Sequence, residues 1–324
     1  MKTIHNFSFT KSINTKILYP RDINELKKNL EKKFTIVGNL RSYGDTAIGR
    51  YNHISLLNFK KIINLDKQKK IIEVEAGLLL SDLLKYTLKH NLVLSCMPGC
   101  KYVSVGGMIA NNISGKLIEK NKIKYFLKSL KIINHKGKII QCSNFKNKKL
   151  FELTIGGKGR TGPIVSAEIN LSNINSDKFI EKNISFENFF EFKKNLVLLK
   201  KYKYCVVWLD FTSIFFKGIF FFGNHHKEKK TNLFFNFKDI NLPNFLLLAI
   251  SSLVTTRWFV KLFNFVFFQK FNFFQNRIIG INSFSFPQNK IKNWNLLFKN
   301  SGFIQFQIYF KINKLKKIIN LLKI

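Results

Sequence analysis

The chain is poor in carboxylates and nearly empty of arginine: 18 of its 324 residues are Asp or Glu, and only six of the 55 basic residues are Arg. The shortage of acid leaves a formal net charge of +37, which taken alone suggests a polyanion partner. The shortage of arginine argues against that. Readers of phosphates and base edges favour the planar guanidinium over lysine's point charge. Lys, Asn, Ile and Phe, the abundant residues here, all have A/T-rich codons, so base composition accounts for much of the charge. No specific nucleic acid is expected as a partner.

Cysteine is also scarce. Cys96, Cys100, Cys142 and Cys205 are too few and too scattered for the disulfide framework of a small secreted domain. No further Cys/His pair stands at zinc spacing from Cys96 and Cys100, so no metal is expected. His225 and His226 would diverge on a strand. Met1 to Asn6 lack the apolar stretch of a signal peptide. The expected location is cytoplasmic or peripheral on the inner membrane. Long apolar runs are missing as well: the uncharged part of the one candidate, 245–268, is shorter than the roughly 20 residues of a spanning helix. That segment reads as a buried helix or as a peripheral membrane contact.

Glycine is absent from most of the chain and crowded in one part. Thirteen of the 17 glycines fall between Gly38 and Gly162. Glycine allows positive φ and close approach of a ligand to the main chain, so such crowding suggests loops around a bulky anionic cofactor. The flanking sequence alternates elements. Asp22-Ile-Asn-Glu25 reads as a capping box opening a helix to about Lys33, followed by a strand at 34–37. A strand at 71–76 precedes a helix capped by Ser81 and running to about His90, and 92–95 reads as a further strand. Ile123–Ile133 and Ile139–Cys142 flank a turn as a hairpin, and 163–171 alternates as a strand. This mixture without a strict βαβ rhythm favours α+β. Residues 1–172 and 173–324 are read as two domains.

Three glycine segments carry the chemistry. The first is Gly38-Asn39-Leu40-Arg41-Ser42-Tyr43-Gly44-Asp45, with Thr46 and Ala47 following; it can offer main-chain N–H groups, a hydroxyl and a guanidinium to a diphosphate. The second runs from Pro98, Gly99 and Cys100 through Val103, Ser104, Gly106, Gly107, Ala110, Asn111, Ile113, Ser114 and Gly115 to Lys116. Gly106-Gly107 reads as a tight turn entering a helix. Ser114-Gly115-Lys116 imitates the end of a Walker loop, but Ala110 and Leu117 stand where that loop needs Gly and Ser or Thr. The third, Ile155 to Gly162, contains a literal G-x-G-x-x-G from Gly157. A β-like run and not a helix follows it, which argues against a Rossmann turn. Three such loops suit an extended dinucleotide, and FAD is the natural candidate.

With Arg41-Ser-Tyr-Gly-Asp45, the Pro98-Gly99 to Gly107 loop, Ile155-Gly-Gly157 to Gly162, Trp208-Leu-Asp210, Gly223-Asn-His225, Phe286-Pro287, Trp294-Asn295 and Gly302-Phe-Ile-Gln-Phe-Gln307, the chain resembles FAD-linked oxidases of the vanillyl-alcohol oxidase type with a PCMH-type FAD-binding domain. Within them it is most similar to the decaprenylphosphoryl-ribose oxidase and aldonolactone oxidase branch. The resemblance implies two small α+β subdomains binding FAD, then a substrate domain whose antiparallel sheet lies over the flavin. It implies that 38–45 hold the diphosphate, that Gly99, Ser104, Gly106, Gly107, Ala110 and Ile113 line a second wall, and that Gly162 and Ile164 hold the adenine side. Lys116, Tyr43, Gln305 and Gln307 match catalytic positions facing the sugar. The implied reaction oxidises a secondary alcohol of a sugar, sugar lactone or polyprenyl-phosphate sugar.

The chain also departs from the pattern. Leu40 replaces a glycine, Lys158 and Arg160 replace apolar residues, and Asn39 and Ser114 stand where histidine would carry a covalent flavin, so dissociable FAD is expected. Gln307 is expected on a central strand, with a last helix over 313–324. Related chains continue beyond this point, so a partner chain or a missing carboxyl-terminal segment is expected to complete the substrate domain. A reductase partner is a further expectation. The alternatives are an FAD-binding chain without turnover and a basic binder of polyanions.

Overall fold

The structure, a computed structural model, describes residues 2–31, 33–228, 239–308 and 314–322. Its helices and strands form several separate sheets. Near the amino end, strands Ile17–Leu18, Asn52–Ser55 and Phe34–Val37 make a three-stranded parallel sheet with Asn52–Ser55 in the centre. Helix Ile23–Asn29 crosses between two of them. Its start follows the capping box: Asp22 accepts from the Asn24 and Glu25 N–H groups, and Glu25 reaches back to the Arg21 N–H. The helix ends four residues before the expected Lys33. Leu26, fully buried, pins it to Ile54, Leu56 and Phe59.

A five-stranded antiparallel sheet follows, in the order Ile139–Ser143, Leu127–Ile133, Ile164–Asn170, Ile71–Glu75, Ile62–Asp66. The expected hairpin forms its edge, and Ile72 and Val74 point inward in alternation. Helix Leu80–Leu88 packs beside it. Its N-cap is Leu79 with no side-chain cap bond, and Ser81 lies inside the first turn, because the Leu80 and Ser81 N–H groups are bound by the carbonyls of Val103 and Lys101. The strand expected at 92–95 is only Leu92–Val93.

The carboxyl half carries a four-stranded antiparallel sheet ordered Tyr204–Leu209, Gly218–His225, Lys178–Phe186, Asn276–Gly280. One face packs Phe186, Phe192, Phe220 and Phe222 together. The other face joins the largest core, which takes Phe179, Tyr204 and Phe284 along with Val74, Val105 and Leu130 from the earlier sheet and helices. His225 ends its strand, with its Nε2 3.1 Å from the Tyr204 hydroxyl, while Nδ1 of His226 lies 3.8 Å from a carboxylate oxygen of Glu228; the tandem does diverge.

Two expectations about the carboxyl half are corrected. The 245–268 segment is no buried helix: helices Asn244–Ala249, Ser251–Val254 and Arg257–Phe273 bury only Leu247, Ser251 and Phe268. No helix among the described residues is long and apolar enough to cross a membrane. Gln307 is on no strand; residues 302–308 pair with no strand among the described residues, and helix Leu315–Leu322 follows.

Candidate functional site

The three glycine segments converge on one cavity of about 790 Å³. Strand Phe34–Val37 delivers the first segment to its wall. There the N–H groups of 38–44 donate no hydrogen bond within the described residues. The carbonyls of Ser42 and Tyr43 are instead turned outward, accepting from the Phe7 N–H and from Asn6 and Ser8 side chains. Arg41 lines the same wall with its Nε buried and without a partner, its guanidinium 5.0 Å from the Phe7 ring. Free main-chain donors around an orphaned guanidinium make a cradle for a dianionic bridge.

Helix Val105–Ala110 forms the second wall. Ser104 caps it by accepting from the Gly107 N–H, so the two glycines lie in the first helical turn and not in a tight turn before it. The first and second walls touch: a Cβ on Gly38 would stand 2.1 Å from Ser104 Oγ. The third segment closes the far side through Lys158, Gly159, Gly162 and Ile164. It follows helix Lys148–Thr154 and leads into a strand, the reverse of a Rossmann turn. Lys158 donates to Asn111 Oδ1 at 2.6 Å, and burial lowers its pKa.

Of the residues expected at the site, 38–44, Thr46, Ala47, Pro98, Gly99, Cys100, Val103, Ser104, Gly106, Gly107, Ala110, Asn111, Ile113, Ser114, Lys116, Gly162, Ile164, Gln305 and Gln307 all line the cavity. Asp45 and Gly115 do not. Asp45 starts a short turn and points to Lys11 Nζ at 3.6 Å, and Gly115 is pressed against the Met97 backbone while its N–H is held by the Asn121 carbonyl. Val206, Pro287 and Gln288 also line the cavity. Pro287 belongs to the Phe286-Pro287 mark of the resemblance, whereas no sequence signal marked Val206 or Gln288, since only the folding of the carboxyl half over the glycine loops brings them near.

The electrostatics suit an anion. Arg41, Lys116 and Lys158 line the cavity, and among the described residues no carboxylate does. Burial pushes the Lys116 amine down to about 8, partly opposed by Glu181, while Nζ donates to the Phe284 carbonyl at 2.5 Å. The Tyr43 phenol is pushed up to about 12, chiefly by burial, with Cys100 adding and Arg41 opposing. Cys100 is a free thiol whose pKa burial raises, so it is protonated at neutral pH. No histidine lines the cavity; Asn39 is occupied in donating to the Tyr102 carbonyl at 2.7 Å.

Residues 17–143, which supply the first two walls, match the FAD binding domain family. The chain is similar to oxidases of the FAD-linked superfamily. It is 25% identical over 284 residues to the decaprenylphosphoryl-beta-D-ribose oxidase of Mycolicibacterium smegmatis, covering 82% of this chain and 61% of that protein. It is 28% identical over 149 residues to the L-gulonolactone oxidase of Mus musculus, covering 46% and 34%. With the mitochondrial L-galactono-1,4-lactone dehydrogenase of Arabidopsis thaliana it shares 27% over 202 residues, 60% and 33%. The chain thus spans between about a third and three fifths of these relatives' length. FAD is its cofactor, and the residues fit it: N–H groups of 38–44 and Arg41 for the diphosphate, the capped helix start beside them, and a groove of a size that holds a large ligand.

Proposed function

We propose that this FAD-dependent oxidoreductase oxidises a CH–OH carbon of a sugar, sugar lactone or lipid-phosphate-linked sugar. The observation that carries this reading is the polar set in the cavity lining: Lys116, Tyr43, Gln288, Gln305 and Gln307. FAD, when bound, supplies the acceptor for the hydride that leaves the carbon. The chain would do the rest. The amides of Gln288, Gln305 and Gln307 can each donate to and accept from sugar hydroxyls, which fixes the ring in place. Lys116, with a pKa of about 8, is partly neutral near neutral pH, so its Nζ can take the hydroxyl proton while the Phe284 carbonyl holds the amine in position. Tyr43, raised to about 12, stays protonated and donates. The two subdomains of an FAD module and a substrate domain over them are the corresponding architecture.

The relatives' names include a ribose-bearing lipid phosphate and two lactones, which supports a sugar substrate. The test is optical. Purified chain reconstituted with FAD should have the flavin bands, and adding sugar lactones or a polyprenyl-phosphate sugar under anaerobic conditions should bleach them. A chain that binds FAD and is bleached by none of these overturns the reading. A second reading has one observation in its favour: Gln305 and Gln307 line the cavity from a segment paired with no strand among the described residues, with Ile304 and Phe306 more than 70% exposed. On that reading the chain binds FAD but needs a further polypeptide segment for turnover, and the bleaching appears only when that segment is supplied.

A further inference from the structure

Helix Arg257–Phe273 is apolar on opposite sides. Its inner side is packed: Phe267 lies 5.0 Å from the Trp208 ring, Phe271 lies 5.0 Å from Phe221, and Asn264 donates to the buried Asp210 carboxylate at 2.8 Å. The outer side repeats at helical spacing through Trp258, Leu262, Phe265, Val266 and Phe273, and the first four are 52–59% exposed and the last 81%. Helix Asn244–Ala249 adds Phe245 at 68%. An exposed apolar patch of this extent marks a contact surface.

Charge identifies what covers it. From Ile240 to Ile324 the sequence has no Asp or Glu and twelve Lys or Arg. Arg257, Lys261 and Lys270 stand exposed on the helix itself. A second copy of this chain would bring another +37 against the first. An anionic bilayer surface meets both features at once, taking the aromatic and aliphatic side chains at its boundary and the lysines among its headgroups.

We propose that the outer face of 244–274 docks on an anionic lipid bilayer, lying in the interface without crossing it. The placement also bears on the cavity. Val206 and Trp208 point to the same side of strand Tyr204–Leu209, roughly 7 Å apart along it; Val206 lines the cavity and Trp208 carries the helix. Docking would therefore hold the cavity near the lipid surface, where a lipid-linked sugar is found. That last step rests on the proposed substrate class, and the docking itself does not.

The experiment is flotation of the full chain, loaded with FAD and without substrate, on vesicles of phosphatidylcholine alone or mixed equally with phosphatidylglycerol. The chain is expected to float with the anionic vesicles, to stay behind with the neutral ones, and to be released by high salt. The triple variant W258S, F265S, V266S is expected to lose flotation while keeping its flavin absorbance. A milder variant, K261Q with K270Q, leaves the apolar face intact and is expected to weaken binding about 5-fold per cation. Wild-type protein that fails to float on anionic vesicles overturns the proposal, as does a triple variant that floats unchanged. So does a concentration-dependent dimer that the triple variant abolishes in the absence of flotation. Because no substrate is present, loss of turnover leaves this result untouched.

Discussion

Replacing Lys116 with Met tests the electrostatics of the site through stability alone. The amine is held among Phe284, Val206 and the glycine walls, where burial takes its pKa from the ordinary 10.5 down to about 8. Between these two values the unfolded chain binds more protons than the folded one, so this residue makes stability rise with pH across about pH 8 to 10.5. A shift of about 2.5 units corresponds to about 3 kcal/mol, all of it a penalty on the folded state below pH 8 that is gone above 10.5. Methionine fills similar space and never ionises. Lys116→Met should therefore be the more stable chain near pH 7 by about 2 kcal/mol, once the lost bond to the Phe284 carbonyl is counted at about 1 kcal/mol. Near pH 10.5 the order should reverse, with the variant weaker by about that 1 kcal/mol. Urea unfolding of both proteins at a series of pH values, at one FAD concentration, reads the difference and cancels every other titrating group. A gap that stays constant within about 1 kcal/mol from pH 7 to 10.5 would refute the buried-amine reasoning.

Gly162→Ala should lower stability by about 2 kcal/mol or more and weaken FAD retention, since the position has φ +117 and a Cβ would meet the Ile133 carbonyl oxygen at 2.0 Å; thermal unfolding and flavin absorbance measure the two effects. Asp239→Asn removes the carboxylate that the fully buried Lys101 reaches at 2.6 Å, and should destabilise by about 3 kcal/mol, whereas the double variant with Lys101→Met should recover most of that in a denaturant titration. Arg41→Ala should raise the FAD dissociation constant between tenfold and a hundredfold, by about 1.5–3 kcal/mol, with Arg41→Lys recovering only part of it in an equilibrium titration of flavin fluorescence.

What could be read in the sequence was local or compositional. The crowding of glycines into one stretch marked the cavity walls because that signal depends on backbone freedom and not on partners. The Asp22 cap and the hairpin around Gly137 were legible for the same reason. Ser81 misled because the helix starts earlier, at Leu80, where the carbonyls of Val103 and Lys101 bind the first N–H groups in place of a side-chain cap. The run 245–268 looked like core because its composition is that of core; only the sheet's extent decides how much of it is covered. The resemblance put Gln307 on a central strand, but a motif supplies no neighbour to pair with, and 302–308 pair with no strand among the described residues. Val206 and Gln288 had no signal at all, since their place at the cavity comes from contacts spanning more than a hundred residues.

Tyr43 sits in a cage built from both ends of the chain. Phe7 stacks on it at 5.4 Å, and Trp294 and Phe303 meet it edge-on at 6.3 and 5.1 Å. The Asn295 amide and the Phe303 N–H bind the carbonyls of Phe7 and Ser8, tying those ends together. During synthesis the loop of 38–44 leaves the ribosome long before Trp294 does, and until then it has the contacts from Asn6, Phe7 and Ser8 without the Trp294 and Phe303 rings that close the cage. Flavin capture is thus a late event in the birth of this protein, and a ribosome stalled before residue 294 should carry a nascent chain that is still colourless.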